Sequence, residues 1–340
     1  MANLNSTHMG VHLRNPIIVG ANNMNLNIDN LKRMEDAGAA AIVYKSLFEE
    51  QIHLENLELA ERLTEYNERN SEMVTTHPDI FPESEYPMEH LRNLEKTKKA
   101  LSVPLFASLN AVYDASWGEY SKKIEETGVD GLELNFYTVP EKFDAESSSI
   151  EERQVNILKQ VKSAVKIPVS VKLSPFYTNL LKLITDLDNA GADGFVLFNR
   201  LFQPDIDIHT EQLNFPYNLS NVEDNRLALR FAGLLYGNVR GSVCANTGIF
   251  TGKDVIKMLL AGANCVQVVS TLYLNQIEVI TSMLTEIEKW MTARDYKNIN
   301  EFRGKLSRKN AADQQTYNRA QYLDFVMTTT EIFKKYKVIR

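Results

Sequence analysis

Short apolar runs rich in β-branched residues alternate with amphipathic stretches about eight times along this chain, and that rhythm restricts the fold more than any other feature. Strands alternating with helices, with no long shift of composition between them, make a parallel sheet. Eight such units close the sheet into a (β/α)8 barrel of the TIM type. An open doubly wound sheet is the competitor, and it needs a glycine-rich turn after its first strand. Gly20-Ala21-Asn22-Asn23 does not supply one. The expected organisation is an α/β barrel over residues 1–297 with long loops at its C-terminal face. A C-terminal helical extension over 298–340 follows, packed on the barrel or on a partner chain.

The units can be placed in order. Strands are expected at Ile17–Ala21, Ala39–Tyr44, Leu105–Leu109, Gly131–Leu134, Pro168–Leu173, Gly194–Phe198, Val243–Ala245 and Cys265–Val269. Helices are expected at Ile28–Ala37, Met88–Leu101, Ser116–Thr127, Ile150–Val165, Leu180–Ala190, Asn225–Tyr236 and Gln276–Met291, several of them stopped by glycine. Two stretches break the rhythm. Glu49 to Pro87 is long and polar, with a helix expected around Leu54–Leu63; its Tyr and Phe mark it as a functional loop rather than a linker. Leu201–Asn221 is a second irregular, polar-aromatic excursion.

Bulk properties exclude several classes. A net charge of −7 and no long basic run argue against a nucleic-acid surface. Apolar runs break within about ten residues, too short to span a membrane. The N-terminus lacks a charged-then-apolar signal pattern, so a cytoplasmic location is expected. Cys244 and Cys265 both fall in apolar strands and read as small core thiols. His53, His77 and His90 share no metal-ligand spacing and read as solvated, so no metal site is expected.

The densest chemical signal lies between Gly241 and Thr271. There a strand runs into Asn246-Thr247-Gly248, a turn in which glycine takes a backbone shape other residues resist. Thr251 can cap the helix that follows, Gly262 stops it, and the last strand delivers Ser270 and Thr271. Two adjacent strand ends then offer N–H groups and hydroxyls to an anion, as in the phosphate site after the last two strands of such barrels. Other strand ends carry Ala21, Asn22, Lys45, Ser46, Asn110, Asn135, Thr138 and Asn199. Lys172 is the most informative charge, because in the apolar run VSVKL it must point at a polar partner at the barrel mouth. Two lysines, several amides and an anion cradle suit a flat heterocycle bearing a phosphate, and flavin mononucleotide (FMN) fits. The same set also suits a flavin-free lyase or isomerase acting on a phosphorylated metabolite, with Lys172 forming a Schiff base.

The motifs NPIIVGA, AIVYKS, VDGLELN, IPVSVKLSPF, ANTGIFTGKDVIKMLLAGANCVQVVST and EFRGKL, in this order and spacing, resemble the dihydroorotate dehydrogenases from about Asn15 to Leu306. The resemblance implies an FMN-binding barrel that oxidises dihydroorotate, or a related cyclic amide, as its small-molecule substrate in pyrimidine biosynthesis. It implies that Lys45 and Lys172 contact the flavin ring and that Asn135 lies at the ring and substrate edge. Asn199 is then at substrate or ring, and Thr247, Gly248, Ser270 and Thr271 hold the phosphate. In the family a Cys or Ser three residues after the asparagine of the fourth strand removes a proton from the substrate; here that position is Thr138. Lys45 is expected to serve both catalysis and substrate binding.

Two departures narrow the carry-over. The family follows its base with Pro-Asn, whereas this chain has Val139-Pro140. The family's Asn-Ser-Met-Gly substrate loop is not recognisable, and Asn67 or Asn70 stands in for its asparagine. A threonine hydroxyl is a poor base without a relay. A flavin-binding homologue without catalysis is therefore a further reading. The first strand begins by about residue 16, which speaks against the extra N-terminal tunnel of quinone-using members. A soluble acceptor such as fumarate is the simplest expectation. NAD through an iron–sulfur partner subunit and self-association as a homodimer stay open.

Overall fold

A computed structural model of the protein describes residues 2–52, 86–136, 143–144, 146–200, 204–214, 219–312 and 317. The chain opens with an antiparallel hairpin, β1 (Ser6–His8) and β2 (Val11–Leu13), that the sequence reading did not foresee. Its two-residue turn, Met9-Gly10, has φ of 52° and 76°, the pair of positive values that a tight hairpin turn of this twist requires. The alternating units follow: β3 (Ile17–Val19), α1 (Ile28–Asp36), β4 (Ala41–Val43), a short β5 (Leu47–Phe48), α2 (Tyr86–Ala100), β6 (Leu105–Asn110), α3 (Asp114–Glu125) and β7 (Gly131–Asn135). After them come α4 (Ser147–Ala164), β8 (Val169–Leu173), α5 (Leu180–Asn189), β9 (Gly194–Leu197), the hairpin β10 (Asp205–Asp207) and β11 (Gln212–Asn214), and α6 (Asn225–Leu235). The last are β12 (Ser242–Asn246), α7 (Gly252–Ala261), β13 (Cys265–Val268), α8 (Ser270–Asn275) and α9 (Val279–Thr292).

Eight parallel strands close on themselves in the order β4-β3-β13-β12-β9-β8-β7-β6, and β6 returns to pair with β4. The ring is the barrel expected from the rhythm. Side chains alternate across each strand. Leu132 and Leu134 of β7, Val169 and Val171 of β8, and Val266 and Val268 of β13 face the helices in the larger core. The opposite face of the strands fills the lumen, where Met9, Leu13, Ile18, Ala41, Val43, Phe106, Val196, Cys244 and Cys265 pack together. Both cysteines are the buried core thiols expected, and burial pushes the Cys244 thiol up.

The N-terminal hairpin closes the floor of this lumen. Gly131 and Gly194 open β7 and β9, and a Cβ on them would lie 3.0 Å from Met9 Cε and His8 Cε1 respectively. Only the absence of a side chain there lets the hairpin tip enter. Met9 N–H donates to Ser242 Oγ at 2.9 Å, and the His8 ring meets Phe106 edge-on.

Several expectations need correction. His90 is buried, not solvated: it sits on α2 against the Tyr44 ring, 5.3 Å away. Burial, reinforced by the Lys45 charge, lowers its pKa to about 4. Part of the excursion at 201–221 is a regular hairpin. Residues 299–312 hold one 3-10 turn (Ile299–Glu301) and further turns rather than an α-helix. They run along α6 and α7, with Gly304 and Leu306 N–H donating to Leu259 and Leu260 carbonyls at 2.8 Å. His53, His77 and the expected helix at 54–63 lie outside the described residues, as do 313–316 and 318–340.

Candidate active site

The C-terminal ends of β8, β9, β12 and β13 enclose a cavity of about 190 Å³, which Ala21 after β3 also borders. Lys172, Asn199, Arg200, Ser220, Thr247, Gly248, Gln267 and Ser270 line it, and among the described residues no carboxylate does. Lys172 and Arg200 place two cations in this lining, each beside a carboxylate (Glu133 and Asp224), and with the hydroxyls of Ser220, Thr247 and Ser270 they make a polar lining suited to an anion.

The Gly248 end of the cavity is built by local capping. β12 runs into Thr247 and Gly248, with φ of 75° and 73°. A Cβ on Gly248 would lie 2.5 Å from Asn225 N, so glycine is required there both by conformation and by space. Asn225 Nδ2 holds the Gly248 carbonyl at 3.1 Å. Thr251 and Asp254 form a reciprocal capping box at the start of α7. Burial pushes the Asp254 carboxyl up, but hydrogen bonds from Lys257, Thr251 and Phe250 N–H outweigh it and hold the group below its ordinary range. Ser220 ties the two turns together: its N–H and hydroxyl both donate to Ser270 Oγ, at 3.0 and 2.8 Å, and its Oγ accepts from Gly248 N–H at 3.2 Å. Arg200 is ion-paired with Asp224 at the rim.

At the other end of the cavity stands Lys172. It is buried, and among the described residues its ammonium makes only long polar contacts, 3.4 Å to Glu133 Oε1 and 3.5 Å to Gln267 Oε1. Beside it Asn199 Nδ2 donates to Asn135 Oδ1 at 2.6 Å, which joins the tips of β7 and β9.

The residues singled out from sequence thus separate into groups. Lys172, Asn199, Thr247, Gly248, Ser270 and Ala21 border one cavity, and Asn135 is bonded to it through Asn199. Thr271 lies behind the cavity, fully buried, donating to the Phe250 carbonyl at 3.4 Å. Asn22 is spent locally: it accepts from Met24 N–H and donates to the Gly20 carbonyl, both at 2.8 Å. Lys45, Ser46 and Asn110 follow β4 and β6 at the same end of the barrel but do not border this cavity; Ser46 Oγ is 2.7 Å from Ser108 Oγ. Thr138, Val139-Pro140, Asn67 and Asn70 lie outside the described residues. Sequence reasoning missed Glu133, Gln267, Arg200 and Ser220. The first two were discoverable, since each is a polar residue at an inward position between two apolar neighbours in a strand, the same signal that marked Lys172.

Comparison with known proteins agrees with this geometry. The family model for dihydroorotate dehydrogenase matches residues 83–291, more than half of the chain. The chain is 27% identical over 316 residues to the "dihydroorotate dehydrogenase B (NAD(+)), catalytic subunit" of Thermoplasma volcanium, covering 89% of this chain and 98% of that protein. The protein of the same name from Methanocaldococcus jannaschii is 27% identical over 286 residues, covering 82% of this chain and 90% of that one. A "dihydroorotate dehydrogenase A (fumarate)" of Lactobacillus helveticus is 28% identical over 200 residues, 55% of this chain and 64% of its own. These matches, on a closed parallel barrel with a buried lysine near the C-terminal ends of its strands, show that the chain belongs to the dihydroorotate dehydrogenase family.

Proposed function

We propose that the protein binds FMN at this cavity and oxidises dihydroorotate, or a closely related cyclic amide, to the corresponding unsaturated ring. The cavity between the Gly248 turn and Lys172, with no carboxylate among the described residues that line it, is the observation that supports this reading most. The residues present fit the cofactor. Hydroxyls of Ser220 and Ser270 and the nearby Arg200 suit a phosphate, and the Lys172 ammonium, loosely held by protein, has hydrogen-bond capacity left for a ring carbonyl. FMN, when bound, accepts the electron pair taken from the substrate's C–H bond.

The chain's own residues then hold, orient and take a proton. Asn135 and Asn199, locked to each other, present amide groups at a fixed spacing to ring and substrate. Lys172 favours negative charge on the ring, and Lys45 is proposed to serve ring and substrate. Thr138, in the loop after β7, is proposed as the group that takes the substrate's C5 proton, with Asn67 binding substrate. Thr247 is proposed to steady the phosphate turn through its own hydroxyl, which donates to the Phe198 carbonyl at 2.9 Å. The printed names of the relatives support either a soluble acceptor such as fumarate or NAD reached through a partner subunit. No helix among the described residues is long and apolar enough to cross a membrane. We place the enzyme in the cytoplasm, in pyrimidine biosynthesis, on the strength of the family and the acidic composition.

The test is optical. The purified protein, as isolated or reconstituted, is expected to absorb at about 450 nm and to bleach when dihydroorotate is added without oxygen. A colourless protein that takes up no FMN overturns the proposal. Flavin that binds but is not reduced by dihydroorotate supports instead a different substrate or a non-catalytic homologue. The family match disfavours a lyase acting through Lys172, which borohydride trapping of an imine would reveal.

A further inference from the structure

Below Lys172 the lumen holds a second charge. Glu133 on β7 is buried at 1% exposure and faces inward, with Oε2 accepting from Gln267 Nε2 at 2.5 Å. Its Oε1 accepts no hydrogen bond among the described residues and lies 3.4 Å from the Lys172 ammonium. Gln267 completes the arrangement. An amide has one donor end and one acceptor end, so it can serve a carboxylate and an ammonium together. Here Nε2 faces Glu133 and Oε1 faces Lys172 at 3.5 Å. Gly20 leaves the space for it, since a Cβ there would lie 3.2 Å from Gln267 Oε1 and 2.9 Å from Val269 Cγ2. Three polar side chains from three strands thus meet at one level of the lumen, above the apolar cluster of Ile18, Val43, Phe106 and Val196.

A buried charge without a partner is costly, and so is a buried pair left without its remaining hydrogen bonds. Glu133 gives Lys172 a counter-charge and Gln267 gives it an acceptor, both at long range, which offsets part of these costs. The consequence for the site is electrostatic. In a poorly screened lumen, a carboxylate beside the ammonium offsets part of its field at whatever lies above it.

Resting on the FMN reading, we propose that Glu133 is a positioning residue for Lys172: with Gln267 it seats the ammonium at the cavity floor and offsets its charge, which limits how strongly the site favours negative charge on the flavin. The carboxylate never touches cofactor or substrate in this role; it acts through the lysine.

Glu133→Gln keeps the shape and an acceptor for Gln267 while removing the charge. In the FMN-loaded protein the midpoint potential of the flavin, measured by dye equilibration at pH 7, is expected to shift to more positive values than in wild type. An unchanged or more negative potential at full flavin occupancy overturns the proposal, since loss of a merely structural contact lowers flavin affinity without raising the potential. In the flavin-free protein the same substitution is expected to lower the melting temperature, because the ammonium loses its counter-charge; an unchanged melting temperature also counts against the role. Should Glu133→Gln fail to fold, Glu133→Asp, which draws the carboxylate back from Lys172, is expected to shift the potential in the same direction by less, and no shift there overturns the proposal. If wild-type protein takes up no FMN, the functional reading falls and this one falls with it; if wild type is yellow and the variants behave as wild type, only the role of Glu133 is lost.

Discussion

Lys172→Met removes the cation at the cavity floor while keeping most of the side chain's volume. A hydrogen bond to a charged group is worth about 1.5–3 kcal/mol, a factor of roughly ten to one hundred in a rate or affinity. Anaerobic stopped-flow reduction by substrate is expected to slow by that factor, or FMN to bind more weakly by it; normal flavin content with an unchanged rate counts against the assigned role. His90 gives a prediction of a different kind. Its pKa in the fold is lowered from 6.5 to about 4 by burial and by Lys45, so the unfolded chain takes up a proton on acidification before the native state does. Its contribution is therefore neutral above pH 6.5, and stability is lost as pH falls from there towards 4, by up to about 3 kcal/mol. Urea unfolding across that range, compared with His90→Phe, should show the wild type losing more stability than the variant. Lys172 was legible because one charge in an apolar strand has few places to go. His90 was not, because the Tyr44 ring that buries it comes from another element.

The elements that were legible carry their signals locally. α7 begins at a threonine with an acidic residue three positions on and ends at Gly262, with φ of 133°, and all three marks stand within one short stretch. The β1–β2 hairpin lacks such marks: its strands are three residues long and its turn begins with methionine rather than asparagine. What makes it an element is the floor it plugs, and that floor is made by Gly131 and Gly194, more than a hundred residues away. Met9→Ala should leave a cavity there and cost about 2–4 kcal/mol of stability, measurable as a lower urea midpoint with an unchanged slope. A cost within error would mean the hairpin is an ornament on the barrel rather than part of its core. Residues 299–312 teach the opposite lesson. They were expected to be helical, yet Gly304, Leu306 and Arg308 N–H donate to the Leu259, Leu260 and Gly233 carbonyls at the ends of α7 and α6, and the stretch between lies as a strap of turns.

At the scale of the whole molecule the barrel was readable from rhythm alone, whereas the cavity needed the ring to close before Ser220, Gly248 and Ser270 could meet. Residues scattered over fifty positions border the one proposed phosphate site, so a ligand bound there should stabilise the folded state as a unit. With FMN at about a hundred times its dissociation constant, the gain is about 2.7 kcal/mol. Differential scanning calorimetry should show the melting temperature rising with the logarithm of FMN concentration, and riboflavin, which lacks the phosphate, should raise it less. Equal effects of the two would remove the cradle from the account. The hydrogen bond between Gln267 and Glu133 has a mechanical meaning as well. Strands β7 and β13 stand opposite each other in the ring of eight, and Gln267 and Glu133 are bonded across the interior between them. That contact works as a cross-brace on a hoop: it resists ovalisation, fixes the aperture, and leaves the loops around the rim, not the staves, to adapt to guests of different width.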